Sequence, residues 1–88
     1  MAPSETLQEF PCFYTFKIFG RRSETFAERV RAAVAETLGT ISLDSMRVRE
    51  SAGGRYLSVT IEIQVYNQGQ LERVYEDLRA EEEVLFCL

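Results

Sequence analysis

Residues 55–66 read Arg-Tyr-Leu-Ser-Val-Thr-Ile-Glu-Ile-Gln-Val-Tyr, and this stretch decides the fold. Aliphatic residues occupy every second position from Leu57 to Val65, and polar or aromatic residues lie between them. Because successive side chains of a strand point to opposite faces, the alternation predicts a strand with one face in a core and one face polar. An all-parallel sheet needs both faces apolar, so the pattern favours an antiparallel sheet covered by helices on a single side.

The first strand is predicted over residues 12–19, which are rich in aromatic and β-branched types, and Gly20 is expected to end it. Two phases fit this strand. We choose the phase that keeps Lys17 out of the core, because an unpaired buried charge is unfavourable. The side chains that this phase directs into the core are Tyr14, Phe16 and Ile18, and those directed outward are Phe13, Thr15, Lys17 and Phe19.

A helix follows, with Ser23 as the predicted N-cap and Gly39 as the residue that closes it. Its apolar residues recur at spacings of three and four, and they are Phe26, Val30, Ala33, Val34, Thr37 and Leu38. Residues 41–50 predict a weaker edge strand in which Met46 and Val48 face inward.

The sequence Ala52-Gly53-Gly54 predicts a hairpin that leads into the strand described first. Asn67 is the predicted N-cap of a second helix, and Gln70 completes a pair like a capping box. The buried stripe of this helix is expected to be Leu71, Val74, Tyr75 and Leu78. Residues 81–83, three glutamates, are interpreted as a solvated turn before a short final strand over residues 84–88.

The element order is therefore β-α-β-β-α-β. Right-handed connections leave few arrangements for this order, and the common one is the ferredoxin-like α+β fold. It consists of a four-stranded antiparallel sheet in the order 4-1-3-2, with two helices on one face and the other face open. We expect a flexible N-terminal segment over residues 1–9 and a single domain over residues 10–88.

The chain resembles the YbeD-like family of small bacterial proteins of unknown function. The residues that carry the resemblance are Phe10-Pro11, Phe13, Lys17, Gly20, Ser51-x-x-Gly54-x-Tyr56-x-Ser58-Val59-Thr60, Gln70-Leu71, Tyr75-x-x-Leu78 and 84–88. The resemblance implies a ferredoxin-like domain similar to ACT regulatory domains, which sense small molecules at oligomer interfaces. It implies no catalytic residue. Relatives often have serine and lysine in the hairpin where this chain has Ala52-Gly53, so a basic role at that tip would fall to Arg55.

Metal and catalytic signatures are missing from the sequence. It contains no histidine, and Cys12 and Cys87 lack the spacing of a zinc site. No catalytic triad, paired-carboxylate site or phosphate-cradling glycine loop is visible. We predict no enzymatic activity, no metal and no cofactor. Strands one and four are expected to be neighbours, so the two sulfurs could lie close together, but the last strand is too short for its phase to be fixed.

The open face of the sheet is the predicted binding surface. The candidate residues on it are Phe13, Lys17, Phe19, Arg47, Arg49, Tyr56, Ser58, Thr60 and Tyr66. Aromatic side chains in this number usually mark an interface, so we predict a homo-oligomer or a protein partner, and a small-molecule ligand as an alternative.

Two other functions fit parts of the sequence. RNA-recognition motifs share the topology and stack bases on strand aromatics, but the net charge of −4 and Glu62 on the same face make nucleic acid an unfavoured partner. Arg21 and Arg22 precede a helix N-terminus, which could hold an anion as the loop of acylphosphatases does. No apolar run reaches the roughly 20 residues needed to cross a bilayer, and the N-terminus is acidic, so we predict a cytoplasmic protein with no membrane contact.

Overall fold

The computed structural model describes residues 9–88. Its elements in chain order are strand β1 (Cys12–Arg21), helix α1 (Phe26–Leu38), a short 3-10 helix (Leu43–Ser45), strand β2 (Met46–Glu50), strand β3 (Tyr56–Val65), helix α2 (Gln68–Arg79) and strand β4 (Val84–Cys87). The predicted flexible segment, residues 1–9, lies outside the described residues apart from its last position.

The four strands form one antiparallel sheet in the order β2-β3-β1-β4, which confirms the predicted ferredoxin-like topology. The central pair is β1 and β3, which run side by side from the pair Cys12 and Val65 to the pair Arg21 and Tyr56. The outer strands are short, so each covers only part of its central neighbour.

A single apolar core lies between the sheet and the two helices. Its members alternate along the strands and recur every three or four residues in the helices, because those spacings return a side chain to the same face. The fully buried core side chains are Phe16, Ile18, Phe26, Val30, Val34, Val59, Ile61, Val65, Val74 and Leu78. Burial of each such aliphatic or aromatic side chain contributes about 1.5–3 kcal/mol. The predicted phases of β1 and β3 are therefore confirmed.

Gly20 does not end the first strand, which continues to Arg21. Gly20 is buried, and a Cβ built on it would lie 2.2 Å from Cε1 of Phe26 and 2.4 Å from the carbonyl oxygen of Glu83. The pairing of β1 with β4 is irregular at this position, where Phe19 faces Phe86 and Gly20 faces Val84. The glycine is therefore explained by close packing and not by a turn.

The second strand is shorter than predicted, because Leu43–Ser45 forms a 3-10 helix and β2 begins only at Met46. Val48 lies opposite Val59 and so points toward the helix layer, but it is 45% exposed. The predicted inward direction of Val48 is therefore confirmed, but the side chain is not fully covered because β2 is the edge of the sheet.

The helix caps are partly as predicted. Asn67 caps α2, since its side-chain oxygen accepts a hydrogen bond from the backbone N–H of Gln70 at 2.8 Å. The side chain of Gln70 reaches back to the N–H of Tyr66, one residue before the expected partner. In α1 the N-cap position is Thr25, although the hydroxyl of Ser23 accepts from the N–H of Phe26 at 3.1 Å.

The two cysteines are far apart in the sheet. Cys87 lies opposite Ile18, whereas Cys12 begins β1, six positions away. At a rise of about 3.3 Å per residue, this register separates them by about 20 Å, well beyond the reach of a disulfide. Partial burial raises the pKa of the Cys87 thiol, with a small opposing effect of Arg79. The register between β1 and β4, which the sequence left open, therefore keeps the two sulfurs apart.

Candidate functional site

The open face is the surface of the sheet opposite the helices. Directly opposed residues of neighbouring strands point to the same face, so the register assigns its members. They are Phe13, Thr15, Lys17, Phe19 and Arg21 from β1, Tyr56, Ser58, Thr60, Glu62 and Gln64 from β3, Arg47 and Arg49 from β2, and Phe86 and Leu88 at the end of the chain. Within residues 9–88, both long helices pack on the other side of the sheet.

Two neighbouring rows of side chains cross the face from one edge to the other. The first row runs Arg49, Ser58, Phe19, Phe86, and the second runs Arg47, Thr60, Lys17, Leu88. Because strands lie about 4.8 Å apart, each row spans about 14 Å. Most of the predicted binding residues therefore meet in one compact area, which we call the central patch and define by these eight residues.

Phe86 and Leu88 complete the central patch, and the sequence did not reveal them. Their side chains are 54% and 64% exposed. The ring of Phe86 stacks on that of Phe19, with centroids 4.6 Å apart and planes inclined by 16°. Leu88 exchanges both backbone hydrogen bonds with Lys17, which fixes its phase. The last five residues are all apolar, so their sequence contains no polar residue that could indicate which of them face outward.

Three predicted residues lie outside the central patch. Tyr56, opposite Arg21, is near it, whereas Phe13 and Tyr66 are far from it. Phe13 is 74% exposed but lies six positions from Phe19, a distance of about 20 Å along the strand. Tyr66 follows the last residue of β3, at the opposite end of that strand from Tyr56. The exposed aromatic residues therefore form two separate groups, one at each end of the central strand pair.

Charge is unevenly distributed between the two sides of the molecule. The open face holds four cations and one carboxylate: Lys17, Arg21, Arg47, Arg49 and Glu62. This gives the face a formal charge of +3, so the rest of the chain carries −7, since the total is −4. None of the four cations has an ion-pair partner among the described residues.

The start of α1 already holds a carboxylate. Glu83 accepts hydrogen bonds from the hydroxyls of Ser23 at 3.2 Å and Thr25 at 3.0 Å, and Arg29 lies 3.9 Å from it. Glu81 pairs with the same arginine at 2.9 Å. The three-glutamate turn is therefore not simply solvated, because two of its side chains tie the approach to β4 to α1.

Glu83 already occupies the helix N-terminus at which the sequence predicts a possible anion site. Ser23 is engaged by the N–H of Phe26 and by the carboxylate of Glu83, so the loop has no vacant cradle for a substrate phosphate. Arg21 and Arg22 lie beside the β2–β3 hairpin, and Arg22 also lines a cavity with Ser23 and Glu24. The backbone N–H of Arg22 donates to the carbonyl of Arg55 at 2.8 Å. The acylphosphatase-like arrangement is not supported by this geometry.

Arg21, Arg22 and Arg55 instead line one shallow cleft of about 480 Å³, together with Gly54 and Tyr56. We call it the arginine cleft. Arg22 donates from Nε to Glu50 at 3.1 Å, and both side chains of this pair are more than half exposed. The sequence singled out Arg21 and Arg22 as a pair and Arg55 on its own, but it could not show that the hairpin returns Arg55 to the end of β1.

A tyrosine pair marks the helix side of the sheet. The hydroxyl of Tyr75 donates to that of Tyr14 at 3.2 Å, and partial burial together with this hydrogen bond raises the pKa of Tyr75.

Across residues 9–88, no group of three or more His, Cys, Asp or Glu side chains is arranged to hold a metal ion. No helix in this part of the chain is long and apolar enough to span a membrane.

Comparison with known proteins gives the family. The pattern of the family described as "Protein of unknown function (DUF493)" matches residues 5–88. The chain belongs to this family. It is 40% identical over 80 residues to a UPF0250 protein of Shewanella woodyi, covering 91% of this chain and 89% of that protein. A UPF0250 protein of Shewanella amazonensis is 43% identical over 77 residues, covering 86% and 84%. The resemblance to a bacterial family of unknown function is confirmed.

The fold of this DUF493 protein also has a solved counterpart. The solution structure of protein HP0495 from H. pylori superposes with a TM-score of 0.75, covering 100% of this chain and 94% of that one. The two sequences are only 11% identical, so the likeness shows a shared fold and nothing about a shared ligand. The family description and the names of these relatives state no enzymatic activity.

Proposed function

We propose that this DUF493 protein is a non-enzymatic adaptor or regulatory module that docks an acidic segment of another protein on its open face. The observation that carries the proposal is the central patch. Its three cations, Lys17, Arg47 and Arg49, share two rows of side chains with the stacked rings of Phe19 and Phe86 and have no ion-pair partner among the described residues. The resemblance to ACT domains, which are regulatory modules, supports the same class of function.

The composition of the central patch is that of a docking site. Protein interfaces combine aromatic anchors with arginine and exclude most acidic residues from their centre. Phe86 and Leu88 offer exposed apolar surface that a side chain of the partner can contact. Lys17, Arg47 and Arg49 lie in the same two rows of side chains. Long-range attraction by the cations would speed the encounter with an acidic partner.

Charge disfavours a face-to-face dimer of this chain. A face-to-face homodimer would bring two surfaces of formal charge +3 together, and like charges that meet across an interface disfavour association. The homo-oligomer prediction is untested by the fold, and the charge of this face argues against its face-to-face form.

Charge alone would also suit RNA, but the aromatic geometry is less favourable. Phe19 and Phe86 stack on each other, so each ring offers only one face to a base. The centre of β3 presents Ser58 and Thr60 instead of further aromatics. The large negative charge elsewhere on the chain adds repulsion toward a long phosphate backbone.

Site-specific photo-crosslinking in cells would test the proposal. A photoreactive amino acid at Ser58 lies in the central patch, and the same amino acid at Glu72, exposed on α2, is the matched control. We expect the Ser58 probe to capture a protein through an acidic peptide, identified by mass spectrometry. Joint reversal of Lys17, Arg47 and Arg49 to glutamate should abolish the capture, and exchange of lysine for arginine and arginine for lysine should preserve it.

Three results would refute the proposal. One is capture of the same protein by the Glu72 probe, which would indicate contact without a preferred face. A second is a crosslink from Ser58 to another copy of the chain or to RNA. The third is a captured peptide without excess negative charge whose capture survives charge reversal.

A further inference from the structure

The arginine cleft lies at the end of the central strand pair, where its walls are held by backbone hydrogen bonds. Arg21 and Tyr56 form the last pair between β1 and β3. The N–H of Arg22 donates to the carbonyl of Arg55, and the N–H of Ser51 donates to the carbonyl of Tyr56 at 2.9 Å, which closes the hairpin. Three arginines and one tyrosine are thus attached to a fixed part of the sheet.

The charges in the arginine cleft are not balanced within the described residues. Among residues 9–88, Glu50 is the only carboxylate that pairs with any of the three arginines, and it accepts only from Nε of Arg22. Arg21 and Arg55 have no ion-pair partner in residues 9–88. The cluster therefore keeps a formal charge of +2, and guanidinium groups held together in this way repel each other unless an anion lies between them.

The chemistry of these side chains restricts the ligand. Guanidinium groups bind planar carboxylates and tetrahedral phosphates through paired N–H donors, which a point charge such as lysine cannot reproduce. The Tyr56 ring, which is 43% exposed, forms an apolar wall beside the donors. A cleft of about 480 Å³ suits a small molecule and not a folded partner.

We propose that the arginine cleft binds a small oxyanion, a phosphate-bearing or carboxylate-bearing metabolite, through Arg21 and Arg55, with Arg22 as a third donor anchored by Glu50. This site is separate from the helix N-terminus, which Glu83 occupies. It is also independent of the proposed docking on the central patch, because the protein alone suffices to bind the anion.

Titration of the isotope-labelled protein with inorganic pyrophosphate, followed by nuclear magnetic resonance at constant ionic strength, would test the site. We expect saturable shifts of the backbone amides of residues 21, 22 and 54–56. The joint variant Arg21→Ala and Arg55→Ala should bind about tenfold more weakly or worse, the loss expected for charge-assisted hydrogen bonds. The matched control, Arg73→Ala with Arg79→Ala on α2, removes the same charge and should change the affinity less than about twofold.

A second double variant distinguishes a specific binding site from non-specific attraction by positive charge. Arg21→Lys with Arg55→Lys keeps the charge but removes the paired donors, so it should also weaken binding. Citrate as a second probe distinguishes the ligand classes, since tighter binding of citrate or of pyrophosphate assigns the site to carboxylates or to phosphates.

The proposal is overturned by any of three outcomes. The first is the absence of saturable shifts with both probes at millimolar concentration. The second is an equal loss of affinity in the α2 control. The third is unchanged affinity in the lysine variants. The amide spectrum of each variant shows directly whether it is folded. If the double alanine variant is unfolded, the double lysine variant tests the site instead.

Discussion

Substitution of Gly20 by alanine is expected to destabilise the protein strongly. A Cβ at this position would lie 2.2 Å from Cε1 and 2.6 Å from Cζ of Phe26, and 2.4 Å from the carbonyl oxygen of Glu83. The Phe26 ring is fully buried, so it cannot rotate into open space. The Glu83 carbonyl is backbone, and it moves only if the start of β4 moves with it.

The magnitude follows from the two competing effects. Overpacking a core by a methyl group costs about 1–3 kcal/mol, and a clash with backbone as well as with a buried ring belongs at the upper end. Replacing glycine by alanine gains about 0.4–1 kcal/mol from the unfolded chain, which is too little to offset that cost. We expect a net loss of about 2–3 kcal/mol in the free energy of unfolding. For a domain of this size, that loss lowers the melting temperature by roughly 8–24 °C.

Urea unfolding followed by far-ultraviolet circular dichroism measures this loss as a shift of the midpoint at unchanged slope. Gly53→Ala is the matched control, because nothing lies within 4 Å of the position that its new methyl group would take, and the change should be neutral or slightly stabilising. Adding Phe26→Leu to Gly20→Ala tests the mechanism, since it removes the ring but leaves the carbonyl clash. A loss below about 1 kcal/mol for Gly20→Ala would refute the close-packing explanation.

Three smaller effects are expected elsewhere. Glu83→Ala removes the carboxylate that accepts from two hydroxyls at the start of α1, and it should lower the free energy of unfolding by about 1 kcal/mol in urea titrations. Asn67→Ala removes the cap of α2 and should cost about 1 kcal/mol by the same measurement. Burial raises the pKa of Tyr75, so the neutral hydroxyl contributes fully to stability below about pH 10 and this contribution is lost as the pH rises further. In Tyr75→Phe, the free energy of unfolding should therefore fall less steeply above about pH 10.

Each of these effects has a control in the chain. Glu82 is exposed between two engaged glutamates, and Glu82→Ala should change the stability by less than about 0.5 kcal/mol. Asn67→Ser replaces the amide oxygen with a hydroxyl oxygen that can also accept the capping hydrogen bond, so it should retain most of the stability that the cap provides. Tyr66→Phe, at an exposed tyrosine, should change the free energy of unfolding by less than about 0.5 kcal/mol. Equal effects of Glu83→Ala and Glu82→Ala, or an alkaline profile unaltered by Tyr75→Phe, would contradict the roles assigned here.

The parts of the fold that were predictable depend on local periodicity. The strand from Tyr56 to Val65 alternates so regularly that only one face can enter a core, and Asn67 is a cap because its side chain bonds to a group three residues away. Both features involve neighbours in the chain. Val48 shows the limit of the same reasoning, since alternation correctly predicts which way its side chain points but not that it stays 45% exposed.

The contacts that long-range packing creates were not predictable. Glu83 meets the start of α1 across about sixty positions of the chain, and its sequence context, three glutamates in a row, is typical of solvated turns. Phe86 stacks on Phe19 only because of the register between β4 and β1, which is irregular at Gly20. Separation along the chain carries no information about such register.

The sequence by itself determined the order of the elements, the inward faces of β1 and β3, and so the existence of an uncovered sheet face. The tertiary structure alone decided that Phe86 and Leu88 complete the central patch and that Arg55 joins Arg21 and Arg22 in the arginine cleft. Strand pairing joined Lys17, Arg47 and Arg49 to Phe19 and Phe86, and hairpin closure returned Arg55 to Arg22. The reason is physical: periodicity is set by bond geometry within a segment, whereas the neighbours of a side chain are set by which backbone hydrogen bonds form between segments.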